Sequence, residues 1–298
     1  RDCGPTWISS AINEEPNLKR KLSTGQRERI PSQKTEKWFS DSVVFSLWRR
    51  NNAGTRQEAN GLCDFSLKQD LFSLLAEKGA KLIGAADLAG IVSNEMQTGV
   101  SVAVPIPKSI VEDLKTAPTQ AYYEAYSSMN AKLDEMVSCG EEFLRDRGYR
   151  AFANTTKVVK QDTHWCTRLP HKTVATRAGL GWIGKNCLLV TKEYGSAVRL
   201  SSLLTNAPLP VGSPINESRC GSCTVCVKSC PAHALTGVLW CVGTKREELL
   251  HKEDCKRMQI IRMKQSTGIE TDLCGLCFSV CPYTQRYLRR KPDMRIKK

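Results

Sequence analysis

From Leu67 onward the apolar positions fall into regular periods. Leu67, Leu71, Leu74 and Leu75 recur at i, i+4, i+7 and i+8, which predicts an amphipathic helix closed by Gly79 as its C′ residue. Lys81-Leu-Ile-Gly-Ala-Ala and Val100-Ser-Val-Ala-Val read as strands, the second ended by Pro105 and Pro107. A helix is predicted over 119–147, with Tyr122, Tyr126, Met129, Leu133 and Met136 on one face and Gly148 at its end. Tyr149 to Asn154 alternates as a strand does, and Leu188 to Thr191 and Val198 to Leu204 read as two more. Strands alternating with helices predict a layered α/β domain over residues 65–210. After Pro208 and Pro210 the chain turns cysteine-rich and basic, which marks a second module over 211–288 and a basic tail over 289–298.

Residues 1–64 carry no such period beyond one turn, apart from the stretch Trp38 to Trp48. Pro5, Pro16, Pro31 and polar runs such as Ser-Thr-Gly-Gln-Arg-Glu-Arg predict a loosely packed or disordered extension. The chain opens with Arg1 and its first methionine is Met96, as expected of a fragment or of an extension fused to a domain that starts near Phe65.

Composition narrows the class. With 41% hydrophobic and 25% charged residues, the 298-residue chain can build a real core, so wholesale disorder is excluded. No apolar run approaches the roughly 18–20 residues needed to span a bilayer, so no membrane role is expected. Lys and Arg number 44 against 30 Asp and Glu, a net +14 that points to an anionic partner without naming it. Arg49-Arg50 lacks a following apolar stretch, so an export signal of the twin-arginine type does not fit. The 14 cysteines change the picture most: the chain is too long for a disulfide scaffold, and most should be reduced thiolates holding metal in the cytoplasm.

Their spacing is specific. Cys220-Gly-Ser-Cys223-Thr-Val-Cys226-Val-Lys-Ser-Cys230-Pro231 is a C-x2-C-x2-C-x3-C-P run. Cys274-Gly-Leu-Cys277-Phe-Ser-Val-Cys281-Pro282 repeats it with one step missing. Two-residue gaps let a tight loop wrap three thiolates around one iron–sulfur cube, and the three-residue gap carries the last cysteine toward a second cube. The runs supply four and three thiolates, so two complete [4Fe–4S] clusters need one more. Cys255, in a polar stretch, is the better candidate; Cys241, in Val-Leu-Trp-Cys-Val, reads as a small buried hydrophobe. One cluster is therefore expected on Cys220, Cys223, Cys226 and Cys281, the other on Cys230, Cys255, Cys274 and Cys277. Zinc ribbons also use paired C-x2-C elements, but four ligands per ion do not account for the x2-x2-x3-C-P order. Cys3, Cys63, Cys139, Cys166 and Cys187 are isolated, and Cys187 is expected in the core.

Gly179, Gly181 and Gly184 in Ala178-Gly-Leu-Gly-Trp-Ile-Gly-Lys-Asn match G-x-G-x-x-G and nearly match a P-loop, which fails only at Asn186. Phosphate cradles follow a strand and open a helix. Here a helix-like segment, Thr173 to Ala178, comes first and a strand-like run follows, so the order is inverted. The glycines are expected to form a tight turn that lets the backbone approach something flat, with Lys185 available to an anionic group.

This glycine segment, Gly195-Ser196 and the double cysteine module resemble the epoxyqueuosine reductase family, itself related to the corrinoid-dependent reductive dehalogenases. The similarity covers residues 65–288. Trp240, Gly243 and Arg246 look more like shorter relatives of the tRNA-modifying enzyme. The resemblance implies a bacterial-ferredoxin-like module behind the α/β domain, and a base-off cobalamin between them that takes electrons from the clusters. It places Gly179, Gly181, Trp182, Gly184, Lys185 and Asn186 at the cofactor. It also implies a proton-donating Asp on the strand where this chain has Asn154, and an amide cannot deliver a proton as a carboxylic acid does. Asp162, His164 or His171 could take that role, His being favoured by its intrinsic pKa.

Two readings follow: a cluster-fed reductase of a small organic or nucleoside substrate, or a two-cluster electron carrier docking another redox protein. A wide apolar cleft between residues 178–186 and the clusters would mark the enzyme, and a filled interface the carrier. The tail from Arg286 to Lys298 has seven basic residues and one Asp, net +6, suited to tRNA phosphates or to an acidic flavodoxin or ferredoxin that supplies electrons.

Overall fold

The computed structural model describes residues 56–92, 95–160 and 167–290, with the backbone alone for 56–64. The loose extension expected over residues 1–64 therefore lies outside the described residues up to residue 55, as do Asp162, His164, Cys166 and the tail from residue 291. From Asp64 onward the described residues form one compact unit.

In chain order the elements are α1 (Arg56–Glu77), β1 (Leu82–Asp87), β2 (Thr98–Pro105), α2 (Lys108–Asp113), α3 (Gln120–Arg145), β3 (Ala151–Ala153), α4 (His171–Arg177), β4 (Trp182–Ile183), β5 (Leu189–Val190) and β6 (Val198–Thr205). The cysteine-rich part adds α5 (Val225–Ser229), α6 (Arg246–Leu249), α7 (Lys252–Thr267), α8 (Leu276–Ser279) and α9 (Pro282–Arg289). The predicted helices and strands of the α/β domain are all present. Helix α1 starts well before Leu67, and the Leu188–Thr191 strand is the short return arm of a β4–β5 hairpin.

The main sheet has four strands in the order β1-β2-β6-β3, and every pairing is antiparallel, with Leu82 opposite Ala103, Val100 opposite Leu203 and Ala151 opposite Thr205. Helices cover both faces. Val100, Val102, Val104 and Leu203 pack with Leu71 and Leu75 of α1 and Leu133, Met136 and Leu144 of α3. Val174 and Ala178, at α4, pack with Ala86, Leu88 and Leu204 on another side. Central strands covered twice are largely buried, which explains why β2 and the buried stretch of β6 after Leu200 carry Ser101, Ser201 and Ser202 instead of long polar side chains. Each fully buried Leu here contributes roughly 1.5–3 kcal/mol relative to exposure.

The two stretches of the chain share a core. Ile106, Val111, Leu114 and Tyr122 pack with Met263 of α7, Leu273 and Phe278 of α8. Tyr122 and Phe278 meet edge to face, ring centroids 6.1 Å apart. At the other contact, Ser196 N donates to the buried Thr284 Oγ1 of α9 at 3.0 Å, beside Gly195, whose φ is +59°.

Candidate functional site

The x3 gaps of both cysteine runs are occupied by short helices, α5 around Cys226 and α8 around Cys277. Pro282 stands at the start of α9 and leaves Cys281 as its N-cap residue, where a proline's missing N–H costs nothing. Cys255 lies on α7, a helix the polar sequence hides. Acidic Glu253 and Asp254 in its first turn, Lys264 in its last and Gly268 at φ +78° are the end signals that could have revealed it.

Folding gathers the thiols as two neighbouring sets. Burial pushes the Cys226 thiol up to about 12, reinforced by the nearby Cys281, Cys220 and Cys223. Cys281 is raised by burial and then by Cys220 and Cys223, against the pull of the Thr284 and Tyr283 backbone N–H groups. Cys277 is raised well above its ordinary value by burial, then by Cys274, Cys255, Cys226 and Cys230. Cys255 is raised by burial, and Cys230, Cys274 and Cys187 add to it, while Gln259 Nε2, donating to its sulfur at 2.9 Å, works the other way. Cys226, from the first set, also reaches Cys277, so the two sets adjoin. Cys241, by contrast, has its sulfur 3.4 Å from Thr244 Oγ1.

Burial makes Cys226 and Cys281 of the first set, and Cys255 and Cys277 of the second, resist ionisation, so their thiolates need a positively charged partner. Iron in a cubane supplies it, with each thiolate on its own corner, and the donor set fits. Sulfurs arranged on separate corners do not converge on a point. Among the described residues no group of three or more His, Cys, Asp or Glu is gathered as it would be round a single ion.

A cleft of ≈ 520 Å³ opens against the second set: Cys230, Cys255, Cys274 and Cys277 all line it. Cys255, Met258 and Gln259 reach it together because i, i+3 and i+4 share one face of α7. The opposite wall comes from the α/β part, with Tyr122, Tyr126, His171, Lys172, Arg199 and Leu200. Cys187 is buried in a core cluster as expected, and it also reaches the cleft, with Lys172 Nζ donating to its carbonyl at 2.9 Å. Arg199 sits 3.9 Å over the Tyr126 ring and donates to Asn130 Oδ1.

Of the residues weighed for the proton, His171 is described, and it meets Asn154 through Ser202. Asn154 Nδ2 donates to Ser202 Oγ at 3.2 Å, and the same hydroxyl shares a 2.9 Å hydrogen bond with His171 Nδ1. Burial, and then the Arg199 guanidinium, lower the His171 pKa to about 4, with Asp134 opposing. Its imidazole is thus neutral at pH 7. His171 also borders a second cavity of ≈ 60 Å³, shared with Asp134, Asn154 and Arg199, room for about two waters.

The glycine segment is placed differently from expectation. Of its six residues only Asn186 lines the cleft. The close backbone partners of the glycines belong to the chain itself: a Cβ on Gly179 would stand 2.6 Å from Ser213 O, and one on Gly181 would collide with Val190 O. A Cβ on Gly184 would stand 3.5 Å from Cys220 Sγ. Lys185 donates to Gly221 O at 2.8 Å, inside the first cysteine loop, rather than waiting for an anion. Trp182 is 1% exposed and packs with Val190 and Cys281, and Cys220 packs against the same group. Asn186 Nδ2 donates to Ser196 Oγ at 2.9 Å. The turn therefore clasps the first cysteine set.

Residues 219–284 match the family model of the 4Fe-4S double cluster binding domain. The C-terminal module is a double [4Fe–4S] domain. Around it, the chain is 34% identical over 164 residues to the epoxyqueuosine reductase of Lactococcus garvieae (strain Lg2), covering 53% of this chain and 41% of the relative. It is 30% identical over 180 residues to that of Vibrio cholerae serotype O1, covering 56% and 44%. The matches span less than half the length of these curated relatives. A crystal structure of a selenomethionine-labelled epoxyqueuosine reductase superposes with a TM-score of 0.51 at 23% identity, over 74% of this chain and 66% of that one. A catabolic reductive dehalogenase gives a TM-score of 0.61 at 16% identity, over 74% and 32%. These structural likenesses are likenesses of fold. The double [4Fe–4S] chain is thus similar in sequence to epoxyqueuosine reductases and shares an architecture with both groups. Among its described residues no helix is long and apolar enough to cross a membrane.

Proposed function

We propose that this protein is a cytoplasmic iron–sulfur reductase that delivers single electrons through two [4Fe–4S] clusters into the cleft. The observation that carries this reading is the cleft itself, with the four cysteines of the second set on one wall and His171, Arg199 and Leu200 on the other. At ≈ 520 Å³ it falls within the range of small-molecule sites, about 300–1,000 Å³. A carrier that only passes electrons to another protein has no use for such a space.

In this reading Cys220, Cys223, Cys226 and Cys281 hold the cluster farther from the cleft, and Cys230, Cys255, Cys274 and Cys277 the one beside it. Cobalamin is the candidate cofactor of the cleft. Its apolar walls, with Leu188, Leu200, Leu250 and Met258, suit a flat macrocycle, and the likeness in fold to a reductive dehalogenase supports it. When bound, it would supply a metal centre able to accept single electrons and reduce a substrate. A small organic molecule or a nucleoside is the substrate class, epoxyqueuosine in tRNA being the one that the curated relatives' name points to. Arg286, Arg289 and Arg290 on and after α9 make a basic approach for tRNA phosphates or for an acidic flavodoxin or ferredoxin donor.

The chain's own part in a reduction is the proton. Asn154 orients Ser202, Ser202 holds His171 Nδ1, and the small cavity that His171 shares with Asp134 has room for the water that would bring the proton. Negative charge arriving beside the cleft favours the imidazolium, so His171 takes up a proton as electrons enter. Anaerobic reconstitution tests the whole reading. About eight irons per chain, a visible corrinoid spectrum on adding cobalamin, and reoxidation of the reduced clusters by epoxyqueuosine-containing tRNA or a small organic acceptor are expected. Clusters that reduce yet are reoxidised only by another redox protein would establish the carrier instead.

A further inference from the structure

The indole N–H of Trp182 is buried and has no hydrogen-bond partner. An unpaired buried N–H has lost its water and gained nothing in return, so such a group calls for an acceptor. The surroundings limit what the acceptor can be. Trp182 packs with Val190 and Cys281, and Ile215, Cys220 and Tyr283 close around them. The Tyr283 ring stands edge-on at 4.9 Å, and the Arg219 guanidinium, 5.8 Å from the indole ring, is itself only a donor. The neighbouring polar group of the same turn is already engaged, Lys185 Nζ with Gly221 O. What Cys220 and Cys281 bring to this spot is sulfur.

We infer that Trp182 Nε1–H donates a hydrogen bond to a sulfide of the first [4Fe–4S] cluster, the one held by Cys220 and Cys281 beside it, and thereby raises the reduction potential of that cluster alone. The inference rests on the two-cluster reading and adds a tuning residue to it. The physics has a definite sign. One-electron reduction adds a negative charge spread over the sulfurs, a donor N–H stabilises the reduced form more than the oxidised one, and the midpoint rises. None of Cys220, Cys223, Cys226 and Cys281 lines the cleft. Trp182 therefore sets how firmly the cluster remote from the substrate holds an electron before it moves on.

The test is a redox titration, followed by EPR, of the fully loaded protein and its Trp182→Phe variant, which keeps a ring against Tyr283 and removes the N–H together with part of the indole. Expected is a more negative midpoint for one of the two clusters by roughly tenfold in its reduction equilibrium, 59 mV for a one-electron couple, with the other unmoved. Wild-type protein exchanged into deuterium oxide should also show, by pulsed EPR, an exchangeable proton coupled to the reduced cluster that is absent from the variant. Two unmoved midpoints at full iron and sulfide content would overturn the inference and leave the two-cluster reading intact. Wild-type protein holding fewer than two clusters would remove both. If the variant fails to load, ¹⁵N-indole-labelled wild-type protein decides: a coupled indole proton supports the bond, and its absence refutes it.

Discussion

His171 Nδ1 stands 2.9 Å from Ser202 Oγ, a helix-end imidazole resting on a hydroxyl of the central strand β6. The same hydroxyl accepts from Asn154, so one small side chain of the strand holds both neighbours. A half-buried neutral histidine makes folding depend on pH in one direction. With its folded pKa near 4, below an unfolded value of about 6.5, the unfolded chain binds the extra proton between those limits.

Stability is therefore fully present above pH 6.5 and declines as pH falls toward 4. Between pH 6.5 and 5 the loss should be about 1–2 kcal/mol, discounted because His171 is only half-buried. Urea unfolding of wild type and His171→Gln at the two pH values reads it as a narrowing gap; parallel curves would contradict the burial of a neutral imidazole. The same variant should slow turnover at saturating substrate and flatten its pH profile.

Cys255→Ala should reduce the iron content from about eight to about four per chain and remove one reduced-cluster EPR signal, whereas Cys241→Ala should leave both unchanged. Iron and sulfide analysis of the two reconstituted variants checks the choice between them.

Gly195→Ala should destabilise the chain by about 2–4 kcal/mol. The new Cβ would clash with the Thr284 backbone and stand 2.5 Å from Thr284 Oγ1, at a φ of +59° that L side chains avoid. Chemical denaturation measures the loss, and a variant as stable as wild type would mean that the α9 contact gives way easily.

Leu200→Trp should fill part of the cleft from the sheet side. Corrinoid or substrate binding, followed by absorbance, should weaken at least tenfold while iron content and both EPR signals persist. Retained binding would move the ligand out of this cleft.

The α/β part was legible because its signals are local: the leucine period of α1, the prolines that end β2, the glycines after α1 and α3. The cysteine runs were legible because a cubane imposes spacing. Helix α7 was hidden by its charge, since Met263 is its one buried residue and Cys255 is only partly covered, too little for an apolar stripe. The Asn154–Ser202–His171 chain joins residues 48 and 31 positions apart, and nothing local in Ser202 separates it from a small core residue. The glycine turn was identified as a place of close approach, but what approaches is a strand and a loop of the same chain.

Phe278 lies one residue after Cys277, and Tyr122 leads helix α3, so the ring contact between them ties iron capture to the shape of the α/β part. Metal capture and folding are coupled wherever a site forms only in the folded chain. A cell starved of iron would then hold no idle stock of this protein awaiting its metal. It would hold chains with an unfinished interior, open to proteases, and abundance itself would follow the iron supply.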